Sequence, residues 1–176
     1  MDDLQQLIRE CAANNRLSQE KLYRKFYPAL ILLCKRFFED NHEALEVLND
    51  GMMKVFKNIA TYQSTKGDFF NWVYTIVRNT ALDRLKLVKI PAARQLNNVA
   101  ENNYSENPLK SLEWKDLYVL LNELPHATRA ICSLFYLEGF TINDISTQLE
   151  VSTGTVKWHL SETRKRLKPV LKKHYL

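Results

Sequence analysis

Apolar side chains recur at steps of three and four residues through most of the chain, and this period constrains the fold more than any other feature. The recurring positions in the first half are Leu22, Phe26, Leu30, Leu33, Val47, Met52, Val55, Phe56, Ile59, Phe69, Trp72, Val73, Ile76 and Val77. Such spacing places apolar groups along one face of an α-helix. Nowhere do apolar and polar residues alternate for long enough to predict a strand. The sequence therefore predicts an all-α protein.

One segment interrupts the helical period near the middle of the chain. Between Ile90 and Ser111 it contains Pro91, Pro108 and two pairs of asparagines, with few periodic apolar residues. Proline cannot continue a helix, and asparagine favours turns. We predict two small helical domains, at residues 1–89 and 113–176, joined by a flexible linker at residues 90–112.

Composition excludes several classes of protein. With 45% hydrophobic and 26% charged residues, the chain is typical of neither a disordered nor a membrane protein. The longest apolar run, Ala29 to Cys34, is far shorter than the roughly 18 residues that a membrane span needs. The acidic N-terminus lacks an apolar signal core, and three scattered cysteines suit a reducing compartment. We expect a cytoplasmic protein without direct membrane insertion.

The spacing of histidines and cysteines argues against a metal site, whereas the distribution of charge argues for a nucleic-acid partner. The four histidines and three cysteines show no spacing typical of metal ligands, so we expect no metal and no other cofactor. Residues 153–176, by contrast, carry seven basic side chains and one acidic side chain, a net charge of +6. This concentration indicates nucleic-acid binding. A solvated helical tail is the alternative.

The C-terminal half shows the pattern of a helix-turn-helix. Pro125 suits the first position of a helix, which Gly139 ends. Thr141 can cap a second helix and Ser152 a third, with the apolar Val151 in the tight turn between them. Two short helices joined in this way are typical of DNA-binding helix-turn-helix motifs.

The third helix carries the candidate DNA contacts. Val156, Leu160 and Leu167 form its predicted buried stripe. The side chains that we expect to face outward are Thr153, Thr155, Lys157, Trp158, His159, Ser161 and Arg164. They supply hydrogen-bonding groups, cations and one aromatic ring, which can reach phosphates and base edges. An ordinary helical hairpin with a solvated face is the alternative, and the basic tail favours DNA binding.

A resemblance to a known family is carried by several of these positions. The stretch from Leu124 to Leu167 resembles region four of bacterial sigma factors of the extracytoplasmic-function group. The similar positions are Leu124-Pro125, Gly139-Phe140-Thr141, Asp144-Ile145, the run from Ser152 to Lys157, and Arg164-Lys165-Arg166-Leu167. The resemblance implies that the third helix enters the major groove of a promoter −35 element. Other helix-turn-helix regulators share this half. Glu150 stands where the family often has glycine.

The N-terminal half resembles region two of the same family. The run from Glu43 to Ile59 is similar to the helix by which these sigma factors bind the clamp helices of RNA polymerase. The resemblance assigns polymerase binding to Glu46, Asn49 and Asp50, whose spacing places them on one helical face. Gly51 replaces the usual apolar residue, and we interpret it as a point of close helix packing.

The run from Gly67 to Lys86 resembles the segment that melts the promoter and recognises its −10 element. Its spacing predicts a polar face of Asn71, Thr75, Arg78, Asn79 and Lys86, with Tyr74 between them. Core packing is the expected role of Phe69 and Trp72. The family binds one flipped −10 base in a pocket, which the resemblance places at Lys54, Asn58, Tyr62, Ile76 and Asn79. Thr75 and Arg78 complete the predicted −10 set.

Together the two resemblances imply an alternative sigma factor, which is not an enzyme. Its implied partners are core RNA polymerase, promoter DNA and an anti-sigma factor. One alternative is a helix-turn-helix regulator that is not a polymerase subunit, with an N-terminal sensing or dimerisation domain. The acidic face at Glu46 and Asp50 disfavours it. A nuclease is a second alternative, disfavoured because no acidic metal cluster occurs in the sequence.

Overall fold

The computed structural model describes residues 3–87 and 119–174 of the 176-residue chain. Within these ranges the regular structure is helical, without a strand, which confirms the predicted all-α class. The helices with both ends given in these ranges are α1 (Asp3–Ala12), α2 (Arg16–Lys35), α3 (Asn41–Asn58), α4 (Phe69–Leu87), α5 (His126–Cys132), α6 (Ile142–Leu149) and α7 (Thr153–His174). The predicted linker, residues 90–112, lies outside the described residues.

The chain divides into two compact units, residues 1–84 (unit 1) and residues 85–176 (unit 2). The division falls in the last turn of α4, a few residues before the predicted boundary at residue 89. Among the described helices, none has both the length and the hydropathy that a bilayer span requires.

Unit 1 is built from α1 to α4. Side-chain caps start two of its helices: Asn15 Oδ1 accepts from the Ser18 N–H at 3.1 Å, and Asp40 Oδ1 accepts from the His42 N–H at 2.6 Å. An aromatic cluster links α2 to α4, because the Phe26 ring lies 6.0 Å from Phe69. Phe69 is buried, as predicted for a core residue.

Gly51 marks the close approach of α3 to α4. A Cβ atom built on Gly51 would lie 3.0 Å from both Cα and Cγ2 of Val77. Real Cβ atoms are rarely found so near to another residue's backbone. The interpretation of Gly51 as a point of close helix packing is therefore confirmed.

Unit 2 contains the predicted helix-turn-helix. Thr141 caps α6 through a capping box with Asp144: its Oγ1 accepts from the Asp144 N–H, and the Asp144 carboxylate accepts from the Thr141 N–H. The turn to α7 places Glu150 at φ 55°, ψ 40°, a left-handed conformation that favours glycine, the residue expected at this position from the resemblance. Ser146 Oγ then donates to the Val151 carbonyl at 2.6 Å, closing the turn.

The helix before this motif differs from its prediction at both ends. Pro125 stands at the N-cap of α5 rather than at its first position. Regular α geometry stops at Cys132, and a π-helical segment, Ser133–Leu137, continues toward Gly139, whose φ is +73°. Helix ends assigned from sequence commonly shift by one or two residues.

The cysteines have structural roles. Cys11, Cys34 and Cys132 are free and buried. Burial raises the pKa of the Cys11 thiol to about 11 and that of the Cys34 and Cys132 thiols to about 12. Such thiols are protonated at neutral pH and therefore poor nucleophiles.

We predict that Gly51→Ala destabilises unit 1. Alanine gains about 1 kcal/mol of helix propensity, but overpacking against the Val77 backbone costs about 1–3 kcal/mol. The matched control is Gly154→Ala in α7, where the added Cβ would meet only Ser152 Oγ at an ordinary 3.6 Å. Chemical denaturation of the full chain should show a loss for Gly51→Ala and none for Gly154→Ala. Equal stabilisation by both variants would contradict the close packing.

Candidate nucleic-acid interface

The outward face of α7 carries a polar and cationic stripe. Thr153, Lys157, Ser161 and Arg164 follow one another at steps of three and four residues, and each keeps a fully or partly exposed side chain. Ser152 Oγ accepts from the Thr155 N–H at 3.0 Å, which confirms Ser152 as the cap of α7. The start of α7 therefore presents N–H groups and the positive end of the helix dipole next to this stripe.

Sequence reasoning missed one member of the stripe. Lys168 is exposed and lies four residues after Arg164, so it extends the same face by one turn. The four-residue spacing from Arg164 could have identified Lys168 as a member of the stripe. Arg166 belongs to a different surface, because its Nε donates to Glu162 Oε1 at 2.6 Å.

For two of the predicted DNA contacts, the prediction that the side chain faces outward is wrong. Thr155 and His159 are only 6% and 4% exposed, so neither side chain reaches the outward face. His159 Nδ1 lies 2.9 Å from Thr128 Oγ1 of α5, and Thr155 Oγ1 lies 2.9 Å from Ser152 Oγ. The physical reason is that α7 packs against α5 as well as α6. It therefore buries a second line of side chains, which includes Thr163, beside the predicted one.

Trp158 lies at the border between the two faces. It is half-buried, and its ring meets the His159 ring edge-on with centroids 4.7 Å apart. Trp158 is therefore partly accessible, like its stripe neighbours Lys157 and Ser161.

On α3, the predicted polymerase-binding residues share one exposed surface with partners that the sequence did not reveal. Arg84 Nη2 of α4 lies 3.1 Å from Asp50 Oδ2, and its Nη1 lies 3.9 Å from Glu46 Oε2. Tyr23 of α2 donates its hydroxyl to Asn49 Oδ1 at 2.8 Å. About half of the Glu46 and Asp50 side-chain surface remains exposed, so their carboxylates stay accessible.

Two apolar side chains flank this surface and were also missed. Leu45 and Met53, four residues to either side of Asn49, are 36% and 64% exposed. A contiguous exposed apolar patch rimmed by polar residues is typical of a protein-binding surface. The four-residue spacing from Asn49 could have identified them.

The predicted −10 residues lie on α4, the end of α3 and the loop between them. Thr75 and Asn79 are exposed on α4, with Ile76 and Arg78 partly exposed beside them. Lys54 Nζ of α3 lies 3.7 Å from Asp83 Oδ2, one turn beyond Asn79. The structure thus brings Lys54 to the same side of unit 1 as this polar face.

Asn58, at the end of α3, and Tyr62, in the loop that follows, are held by local contacts. Asn58 Nδ2 donates to the Lys54 carbonyl at 2.8 Å, which keeps its amide against α3. Tyr62 donates its hydroxyl to the Gly67 carbonyl at 2.9 Å, and its ring packs edge-on against Phe69, 4.8 Å between centroids. Trp72 lies 5.7 Å from the Tyr62 ring and is half-buried. In residues 3–87 and 119–174, no three acidic, histidine or cysteine side chains form a metal-binding group.

Comparison with known proteins identifies the family of the chain. The family description Sigma-70 region 2 matches residues 22–87, and Sigma-70, region 4 matches residues 114–167. These two matches span most of the chain in the family's order. The chain belongs to the sigma-70 family.

Relatives place the chain within that family. The ECF RNA polymerase sigma factor SigE of Mycolicibacterium smegmatis is 26% identical over 163 residues, 89% of this chain and 63% of the relative. The RNA polymerase sigma-H factor of Pseudomonas aeruginosa is 25% identical over 185 residues, 96% of this chain and 95% of the relative. The predicted class, an alternative sigma factor of the extracytoplasmic-function group that directs promoter-specific transcription, is confirmed.

A solved structure of CnrH in complex with the cytosolic domain of CnrY is 16% identical and covers 96% of each chain. Its TM-score of 0.46 describes a loose superposition that adds nothing to the family assignment.

We predict that acid destabilises unit 2 through His159. Burial lowers the pKa of this imidazole to about 4, and the nearby Glu162 carboxylate opposes the shift only in part. An unfolded chain gains a proton on His159 below about pH 6.5, whereas the folded chain does not until about pH 4. The free energy of unfolding should therefore fall as the pH drops through this window, by about 2 kcal/mol between pH 7 and pH 5.

Chemical denaturation at both pH values measures this effect, with His159→Gln as the control that removes the titrating ring. The variant should lose less stability than the wild type between pH 7 and pH 5. Identical losses in the two proteins would mean that His159 does not stay neutral in the folded chain.

Proposed function

We propose that unit 2 recognises the −35 element through the outward stripe of α7, while unit 1 binds core RNA polymerase through α3 and the −10 element through α4. The observation that carries the proposal is the separation of faces on α7. The stripe residues Thr153, Lys157, Ser161 and Arg164 keep fully or partly exposed side chains, whereas the opposite face, which includes Thr155 and Thr163, is buried where α7 packs against α5 and α6. A helix with one polar, positively charged face and a capped start suits insertion into a major groove.

Roles on this stripe divide by position. Lys157 lies in the second turn of α7, close to the capped start, where a recognition helix meets base edges. Arg164 and Lys168 lie two and three turns further along and suit contacts with the phosphate backbone. The N–H groups at the start of α7 suit a further phosphate.

The chain itself has no proposed catalytic role, since the chemistry of transcription belongs to the polymerase. It would act in the cytoplasm, together with the polymerase and the chromosome. Family membership also supports a third partner, an anti-sigma factor that holds the chain inactive.

A helix-turn-helix regulator that is not a polymerase subunit remains the alternative function. It shares the α6–α7 motif but needs no polymerase-binding surface. The half-exposed carboxylates of Glu46 and Asp50, with the exposed apolar Leu45 and Met53 beside them, favour the sigma factor.

The −35 proposal predicts different effects for two cations of α7. Lys157→Ala should relax preference at one base position at a cost of about 1–3 kcal/mol. Arg164→Ala should weaken all sequences alike and lower the salt slope by about one unit. Arg166→Ala is the matched control, because Arg166 is paired with Glu162 away from the stripe.

The measurement is binding of holoenzyme to a library of −35 variants at several salt concentrations. A Lys157→Ala holoenzyme that binds every sequence more weakly, with its preferences intact, would place this helix outside the groove.

The polymerase proposal predicts that Asp50→Lys weakens binding to core polymerase by about tenfold or more, because like charges replace complementary ones at the interface. Asp50→Asn, which does not place a cation against Arg84, should weaken binding less.

The control Glu20→Lys makes the same charge change on α2, where Glu20 pairs with Arg24 at 2.7 Å. A fluorescence titration with core polymerase should give unchanged affinity for this control. Unchanged affinity for Asp50→Lys as well would reject the assignment of α3.

The −10 proposal predicts that Asn79→Ala impairs strand opening more than polymerase binding. The exposed amide is placed to hydrogen-bond an unpaired base, and its loss should cost about 1–3 kcal/mol. Permanganate footprinting of the open complex measures the opening, and the core titration serves as the control. Normal footprints at an unchanged core affinity would exclude Asn79 from the pocket.

A further inference from the structure

A line of polar side chains lies within the buried face of α7. Thr155, His159 and Thr163 follow at four-residue steps, and all three are buried. His159 Nδ1 meets Thr128 Oγ1 of α5 at 2.9 Å, and Thr163 Oγ1 donates to the His159 carbonyl at 2.9 Å. Hydrogen bonds between side chains thus cross from α5 to α7 within the buried contact, from Thr128 to His159 and from Cys132 to Thr163.

This arrangement is not the one that stability alone favours. His159 Nε2 is buried and has no hydrogen-bond partner. Whichever ring nitrogen carries the proton, one nitrogen stays unsatisfied, and this opposes folding. Apolar side chains of similar volume would fill the same space without that cost. What the Thr128–His159 hydrogen bond adds, in place of stability, is a dependence on the orientation of α7 relative to α5.

The orientation of α7 matters because the proposed DNA-facing stripe lies on the other side of the same helix. Apolar contacts such as those of Val156 and Leu160 tolerate small rotations of a helix, whereas a hydrogen bond weakens steeply with misalignment. Side-chain ends lie roughly 6 Å from a helix axis, so a rotation of roughly 20° displaces them by about 2 Å. That displacement exceeds the tolerance of a hydrogen bond to a base edge.

We infer that His159 and Thr128 are positioning residues, whose hydrogen bond fixes the rotation and axial register of α7 on α5 so that Lys157 and Arg164 face the −35 groove. The inference rests on the proposed −35 role of α7. Buried polar pairs that fix the register of packed helices are known from coiled coils. Here the buried Thr128–His159 hydrogen bond would influence base preference although neither residue contacts DNA.

The test compares Thr128→Val with Thr128→Ser in holoenzyme built from the full chain. Valine keeps the shape of threonine and removes the hydroxyl, whereas serine keeps the hydroxyl. The readout is −35 discrimination, the ratio of affinities for the preferred sequence and for its single-base variants. Thr128→Val should lower this ratio by about tenfold, as expected for the loss of one good base contact. Thr128→Ser should retain it.

A second variant covers the case in which Thr128→Val does not fold. The double change Thr128→Val with His159→Leu leaves no unsatisfied polar atom of the pair. Circular dichroism should show it folded, and it should lose discrimination to the same extent as Thr128→Val. Wild-type discrimination in either folded valine variant would overturn the inference. So would a uniform loss of affinity, or Thr128→Ser behaving like Thr128→Val.

Lys157→Ala in the same assay separates this inference from the proposed function. If Lys157→Ala relaxes base preference and the valine variants do not, only the positioning role fails. If Lys157→Ala also leaves base preference intact, the −35 role of α7 fails.

Discussion

The rotation of α7 about its own axis determines which side chains unit 2 can offer to DNA. That rotation is set by the buried face of the helix, where Val156, Leu160 and Leu167 pack beside the polar line through His159. Because successive residues on a helix are 100° apart, fixing this face also fixes the opposite one. Lys157 and Arg164 lie on the partly exposed face of α7 as a consequence of what the helix buries, although Arg164 Nη2 is itself buried. The capping box of α6 and the left-handed turn at Glu150 then determine where α7 begins.

In unit 1, the close contact at Gly51 fixes the position of α3 against α4. The absence of a side chain at Gly51 lets α3 approach the backbone of α4 at Val77. Ion pairs from Arg84 to Asp50 and from Lys54 to Asp83 cross between the same two helices. Exposed pairs of this kind add little stability, so the buried packing around Gly51 contributes more to this contact than the ion pairs do. Through it, the proposed polymerase-binding and −10 surfaces belong to one compact unit.

The sequence predicted the fold class, the helix caps at Thr141 and Ser152, and the family, because local chemistry and apolar period decide these features. It did not predict that His159 is buried. Spacing from Val156 identified one buried line on α7, but a helix packed against two neighbours buries a wider arc, and only the tertiary contact with α5 reveals the second line. Arg84 and Tyr23 were missed for a similar reason, since their partners on α3 are more than twenty residues away in the sequence.

The most direct test of the whole account is transcription by core polymerase with and without this chain, on a library of random promoter sequences. The account predicts that adding the chain alone produces transcripts with defined start sites, whose upstream sequences share one motif near −10 and another near −35. Binding of the chain to DNA without any new start sites, or start sites that require a second sigma factor, would contradict it.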